Sequence, residues 1–194
     1  MKRFLTILVF GFALTACTKD DPGKPTASVD QEGLTVEIRQ LFPDNILSQF
    51  KSIGIAINGG NNPPDIEGHY TAITIFARSN FADSMPVGFE SWMAFSFKKP
   101  DYSTLKVDCN SGERVINAYI TGNGSRFSVF MECTVPSSTF KTLEIVSGEY
   151  TAVGIQNFQW AVMATVDAPG SYSTGLKKGQ MYLYETTEGL VIRR

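Results

Sequence analysis

Histidine is almost absent from this chain of 194 residues: His69 stands alone, and three cysteines, Cys17, Cys109 and Cys133, are scattered with no Cys-x-x-Cys or His-x-x-x-His spacing. A zinc site needs about four such ligands at defined spacings, so that chemistry is excluded. Basic clusters are missing as well. Lys and Arg number 17 against 19 Asp and Glu, a net charge of −2, and nucleic-acid binders carry a concentrated basic face. The most apolar stretch, Phe4 to Leu14, covers 11 residues, where a membrane-spanning helix needs about 20. No Gly-x-Ser-x-Gly elbow is present, and Gly122-Asn123-Gly124 reads as a hairpin turn rather than a phosphate loop. Asp65, Glu67, Glu90, Asp108, Glu132, Glu144 and Glu149 show no spacing of paired catalytic carboxylates. No repeat occurs at solenoid periods. The expectation is a protein that is not an enzyme and holds neither cofactor nor metal.

What is present begins at the N-terminus. Lys2 and Arg3 precede an apolar segment, and Leu14-Thr15-Ala16-Cys17 follows with small residues at a cleavage point, the layout of a signal peptide over residues 1–16. Leu-x-Ala-Cys resembles the lipobox of bacterial lipoproteins, which implies acylation of Cys17 and attachment to a membrane through its lipid. Acyl chains bury roughly 0.8 kcal/mol per CH₂, so several of them hold durably. Thr18-Lys19-Asp20-Asp21 resembles the surface-export tag of lipoproteins from the Bacteroidetes group, which implies an outer-membrane lipoprotein exposed at the cell surface, with the periplasmic face as the alternative. Losing residues 1–16 moves the net charge to −4. Residues 17–32 are polar and rich in Pro, Gly and charge, a flexible tether. Residues 33–194 then make one domain with a real core.

Within that domain Ile46, Leu47, Phe50 and Ile53 fall at helical spacing, with Asp44 or Asn45 as N-cap and Gly54 as a stop, predicting a short amphipathic helix over about 44–52. Leu34 to Phe42 reads either as a strand or as the front of the helical region. From Tyr70 onward, β-branched and aromatic runs alternate with turn residues, predicting strands over 70–79, 91–99, 103–109, 114–122, 125–135, 139–153, 158–166 and 179–186, with a short tail over 190–193. Such spacing signifies an antiparallel sandwich or barrel. With Asn123-Gly124 as a two-residue turn, Gly122 pairs with Ser125. Ile116, Ala118 and Ile120 then face Met131, Val129 and Phe127 in the interior, while Val115, Asn117, Tyr119 and Thr121 lie with Glu132, Phe130, Ser128 and Arg126 on a face suited to water. The same register sets Cys109 and Cys133 on either side of Arg114, roughly 9.6 Å apart at about 4.8 Å per strand. A disulfide needs about 7 Å or less. A longer turn at Asn110-Ser111-Gly112 would shorten the gap, so a Cys109–Cys133 bond stays open on sequence.

Gly60-Asn61-Asn62-Pro63-Pro64-Asp65-Ile66-Glu67-Gly68-His69-Tyr70, with Ser147-Gly148-Glu149-Tyr150, Gly154 to Trp160 and Glu188-Gly189-Leu190, resembles the lipocalin-like lipoproteins of gut Bacteroidetes across most of residues 45–190. The resemblance implies an all-β, antiparallel, up-and-down lipocalin-like (calycin) barrel of about eight strands with a short N-terminal helix. It also implies that Gly68-His69-Tyr70 stands for the Gly-x-Trp element that opens the first strand, where a basic residue of a late strand packs on the ring. That basic partner is not assigned, since Arg193 and Arg194 follow the last clear strand and Lys177 and Lys178 precede it. His69 reads as a rim residue. Trp92, Tyr182 and Tyr184 are candidates for ligand contact, because alternation leaves them less committed to a core, and the resemblance adds Tyr70 as the ring at the barrel entrance. The function expected is non-enzymatic binding of a small hydrophobic or amphipathic ligand inside the barrel. The alternative is a filled β-protein that docks a glycan or another protein on its outside, for which Tyr119 and Phe130 would suit.

Overall fold

The structure is a computed structural model and describes residues 27–82, 87–110, 114–134, 139–168 and 176–194. The expected signal peptide, Cys17 and residues 18–26 of the expected tether lie outside the described residues. Two helices, α1 (Val36–Leu41) and α2 (Asp44–Ser52), precede ten strands: β1 (Asn61–Asn62), β2 (Gly68–Ser79), β3 (Glu90–Phe97), β4 (Cys109–Asn110), β5 (Arg114–Asn123), β6 (Arg126–Thr134), β7 (Lys141–Thr151), β8 (Gly154–Ala164), β9 (Met181–Thr186) and β10 (Leu190–Arg193). All ten belong to one sheet, ordered β1-β5-β6-β7-β8-β10-β2-β3-β4, with β9 paired to β2 and β8. The fold is therefore mostly β. Only β1 runs parallel to its neighbour, Asn61 opposite Gly122 and Asn62 opposite Asn123.

Helix α1 starts because Thr35 caps it, its hydroxyl accepting from the Ile38 N–H at 3.3 Å. Within Leu34 to Phe42 the residues Val36–Leu41 are thus helical rather than a strand. Helix α2 keeps the expected span, but Pro43 stands at its N-cap and Asp44 is already helical. Arg39 draws Asp30, Glu32 and Asp44 together, at 2.7, 3.2 and 2.6 Å. Residues 27–32, read on sequence as tether, are held on the domain by these pairs and by the Ala27 N–H donating to the Tyr102 carbonyl. The strand expected over 103–109 is mostly irregular. Leu105 has positive φ, and only Cys109–Asn110 pairs as a strand, with β3.

The β5–β6 hairpin turns one residue later than expected, with Asn123 opposite Arg126 and Gly122 opposite Phe127. From Asn117 to Asn123 every partner moves by two positions, which preserves the side-chain parity there. Ala118, Ile120, Phe127, Val129 and Met131 share the inner core accordingly. A bulge between Val115 and Asn117 turns Ile116 out, 45% exposed, and brings Val115 inward in its place. Part of the face assigned to water is in fact covered, while Arg126 stays exposed. Phe130 is fully buried and meets Phe42 edge-on at 5.3 Å, and Tyr119 packs on the same helical cluster. Thr121 and Ser128 are buried too, because residues 55–60 cross over them. The Thr121 hydroxyl donates to the Asn58 carbonyl at 2.7 Å, and Ser128 accepts from the Asn58 N–H at 2.9 Å. Tyr119 and Phe130 consequently offer no docking face.

At the entrance to β2, Gly68 has φ +154°, and a Cβ built there would sit 2.7 Å from Arg193 Nε. His69 next to it is exposed. In urea unfolding, Gly68→Val is expected to lose about 2–3 kcal/mol and His69→Ala less than about 0.5 kcal/mol; equal losses would contradict this account of the entrance.

Candidate functional site

The register of the long strands defines two ends of the sheet. At one end lie the start of β2, the β5–β6 and β7–β8 turns and the end of β10; at the other lie Ser79, Glu90, Thr134, Lys141, Ala164 and Met181.

Tyr70 belongs to the first end and is 1% exposed. Its hydroxyl donates to the Ile66 carbonyl at 2.8 Å, closing the stretch that the two prolines lead into. Its ring stacks on Phe95 at 5.4 Å, and Phe95 stacks in turn on Phe158 at 5.4 Å, so three rings from β2, β3 and β8 cross the interior. Arg193, one of the basic residues left unassigned on sequence, lies at this end, but the ring its guanidinium meets is Tyr150. Arg193 pairs with Tyr70 across β10–β2, donates from Nη1 to the Tyr150 hydroxyl at 2.6 Å and lies 5.9 Å from the centre of that ring. It was missed because β10 follows β9 after a short turn and reads as a tail.

At the second end Tyr182 and Tyr184 are buried with Phe76, and Tyr184 stacks on Trp160 at 5.2 Å. Burial pushes the hydroxyls of both tyrosines above the ordinary value, Tyr184 most strongly. Tyr70, Tyr182 and Tyr184 therefore fill the interior. Beside them lies Glu144, 1% exposed, whose two oxygens accept from the Thr142 hydroxyl at 2.7 Å and from Trp160 Nε1 at 2.9 Å. Burying an ionised carboxylate is costly without such partners, and among the described residues no Lys or Arg forms an ion pair with it. Glu144 is opposite Met131 on β6.

No bond joins Cys109 to Cys133. Val115, not Arg114, stands opposite Cys133, and the Cys109 thiol points to Met131 Sδ at 3.3 Å. Burial pushes that thiol up to about 12, with Glu144 and Asp108 adding to the effect. Among the described residues no group of three or more His, Cys, Asp and Glu is placed to hold a metal ion.

Trp92 alone of the four candidates is on the outside. It is 68% exposed and sits opposite Ile73, itself 52% exposed, with Ile192 beside them on β10. A depression of about 230 Å³ runs along this patch and carries Thr71, Glu188 and Arg194 on its rim. Arg194 is held there, its Nε donating to the Thr71 hydroxyl at 3.1 Å and its backbone N–H to the His69 carbonyl at 2.8 Å. A larger depression of about 430 Å³ follows the seam between residues 106–110 and β5, but no aromatic side chain lines it.

Comparison with known proteins found no matching family model, no matching curated protein and no matching solved structure.

Burial raises Tyr70 from 10.0 to about 12; Tyr150 adds to this and Arg193 opposes it. An unfolded tyrosine ionises near pH 10, so the stability tied to neutral Tyr70 is complete below pH 10 and is lost as the pH rises through 12. Tyr70→Phe should cost about 1 kcal/mol at neutral pH and should decline less than wild type between pH 10 and 12 in alkaline unfolding followed by circular dichroism. Parallel declines would assign the alkaline sensitivity to other groups.

Proposed function

We propose that the mature chain is a lipid-anchored, non-enzymatic binding protein of the outer membrane, and that it docks a glycan on the outside of a closed, lipocalin-like barrel. Closure is supported by β9, which pairs with β2 from Thr74–Thr186 to Ser79–Tyr182, and by the far seam. There the Val107 N–H donates to the Ala118 carbonyl at 3.1 Å and the Ile120 N–H to Leu105 at 2.8 Å, linking the segment beyond β3 back to β5. Gly68, Tyr70 and Arg193 together support the lipocalin-like reading of the entrance. The anchor rests on the lipobox at Cys17, and the Lys-Asp-Asp tag behind it supports the outer face of the membrane.

The exposed Trp92 carries the choice of ligand. A large apolar ring bordered by Thr71, Glu188 and Arg194 combines a stacking surface with hydrogen-bonding groups, which suits the alternating apolar and hydroxyl faces of a sugar. An internal ligand draws less support. Drug-sized ligands occupy pockets of about 300–1,000 Å³, whereas the row of rings crosses this interior and the space enclosed by Met93, Phe95, Phe97, Met131, Val146 and Trp160 amounts to about 10 Å³.

The test is a glycan array probed with the full chain in detergent, followed by calorimetric titration of whatever binds. Trp92→Ala should abolish binding and leave the melting temperature within about 2 °C of wild type, as expected for a surface change. An array without signal, or a Trp92→Ala variant that binds normally, would overturn the reading. Native mass spectrometry of chain released from its own membrane should give the lipidated mass alone; a co-purified hydrophobic molecule would restore the internal-ligand reading.

A further inference from the structure

Three sulfur-bearing side chains meet in the interior beside Phe95 and Phe97. Met93 from β3, Met131 from β6 and Cys109 from β4 line one enclosed space of about 10 Å³, walled otherwise by Phe95, Phe97, Val146, Trp160 and Asn110. The Cys109 and Met131 sulfurs are 3.3 Å apart. That volume is at the lower limit for a single water, and a water there would need two to four polar partners, which a wall of thioethers and rings does not provide. A soft monovalent cation has the opposite requirements: it is smaller, it sheds water readily, and it prefers thiolate and thioether donors over oxygen.

From this juxtaposition we propose that Cys109, Met93 and Met131 form a binding site for one Cu(I) ion. Each donor is supplied by a different strand, so the set exists only in the folded chain. As the Cu–S bond to Cys109 forms, the S–H bond breaks and the proton leaves to solvent. No change of oxidation state is involved. Cys109 and Asn110 also line the 430 Å³ surface depression along the seam, so the cavity and the surface share Cys109, which like Met93 is only partly buried. Trp160 is fixed beside the cavity by its 2.9 Å bond to Glu144, and an aromatic wall is compatible with a cation. Zinc is not the matching ion, since two of the three donors are neutral thioethers and no histidine is near.

Trp160 supplies the readout. The chain has two tryptophans, so Trp92→Phe leaves Trp160 as the sole reporter. The full chain carrying Trp92→Phe, in detergent and without oxygen, is titrated with Cu(I) against the chelator bicinchoninate. One equivalent should bind and quench Trp160 emission, with copper–sulfur scattering as the main feature of the X-ray absorption spectrum. Cys109→Ser and Met131→Leu should each weaken binding by about 100-fold or more, the upper range for an outer-shell partner and so a minimum for a ligand. Cys133→Ser should bind as before. Met131→Leu conserves volume and keeps the test independent of folding defects. Failure to compete with bicinchoninate, unchanged affinity in both ligand variants, or loss of binding in Cys133→Ser alone would each overturn the site.

Discussion

Three rings in a row, Phe158, Phe95 and Tyr70, decide what the rest of the molecule can do. Successive centres are 5.4 Å apart and the planes are nearly parallel, at 20° and 16°. Tyr70 and Phe95 are paired neighbours on β2 and β3, and the Phe95–Phe158 contact carries the row over to β8, which is not paired with β3. A side chain that spans an interior in this way cannot also line an empty one. The Tyr70 hydroxyl makes the arrangement directional: its bond to the Ile66 carbonyl fixes the last ring against the chain that enters β2. Removing any of the three would leave a hole that neighbours on a hydrogen-bonded sheet are poorly able to close.

A filled interior would ordinarily leave the outer face to water, but β6 and β7 are buried on both sides. Helices α1 and α2 cover Phe130, Leu143 and Ile145. Next to them, residues 55–60 lie over Thr121, Ser128 and Ser147, where the Asn58 amide donates to the Phe127 carbonyl at 3.0 Å and to the Ser147 hydroxyl at 2.9 Å. The crossing segment has no regular partner strand over most of its length, so its backbone groups depend on these hydroxyls as much as the hydroxyls depend on them. Hydroxyl residues in the middle of apolar strands are thus explained by an irregular segment far away in sequence.

That dependence also explains which parts of the fold were legible in the sequence. Helix α2 and the long strands follow from periodicity, and the parity of the β5–β6 hairpin survived a turn displaced by one residue because two faces admit only two answers. The burial of the second face was not legible. Asn117, Tyr119, Thr121 and Ser128 look like a wet face to any reading of alternation, and only the position of residues 55–60 corrects it. Glu144 is hidden for the same reason: beside Leu143 and Ile145 it reads as the solvent side of an amphipathic strand, whereas both sides are covered. Ile116 was misplaced by a bulge that no residue announces. Trp92 was legible from alternation alone, since it shares parity with Ala94 and Ser96 and not with Phe95.

The proposed binding surface gains from the packing beneath it. Trp92 stands on β3 directly opposite Ile73 on β2, and the inward neighbours of those two residues, Met93 and Ala72, belong to the packed core. The backbone under the ring is therefore held by the ring row and by two ladders of β2, to β3 and to β10. A ligand meeting such a surface orders few protein side chains, so less of the contact energy is spent on conformational entropy. Arg194 adds to this, because its bonds to Thr71 and His69 hold it at the rim before any ligand arrives. Adaptability then has to come from outside the folded body, and attachment through the lipid proposed at Cys17 would supply it: the platform stays rigid while its orientation to the membrane varies. A solid β-domain and the proposed lipid anchor are, on this view, complementary parts of one binding device.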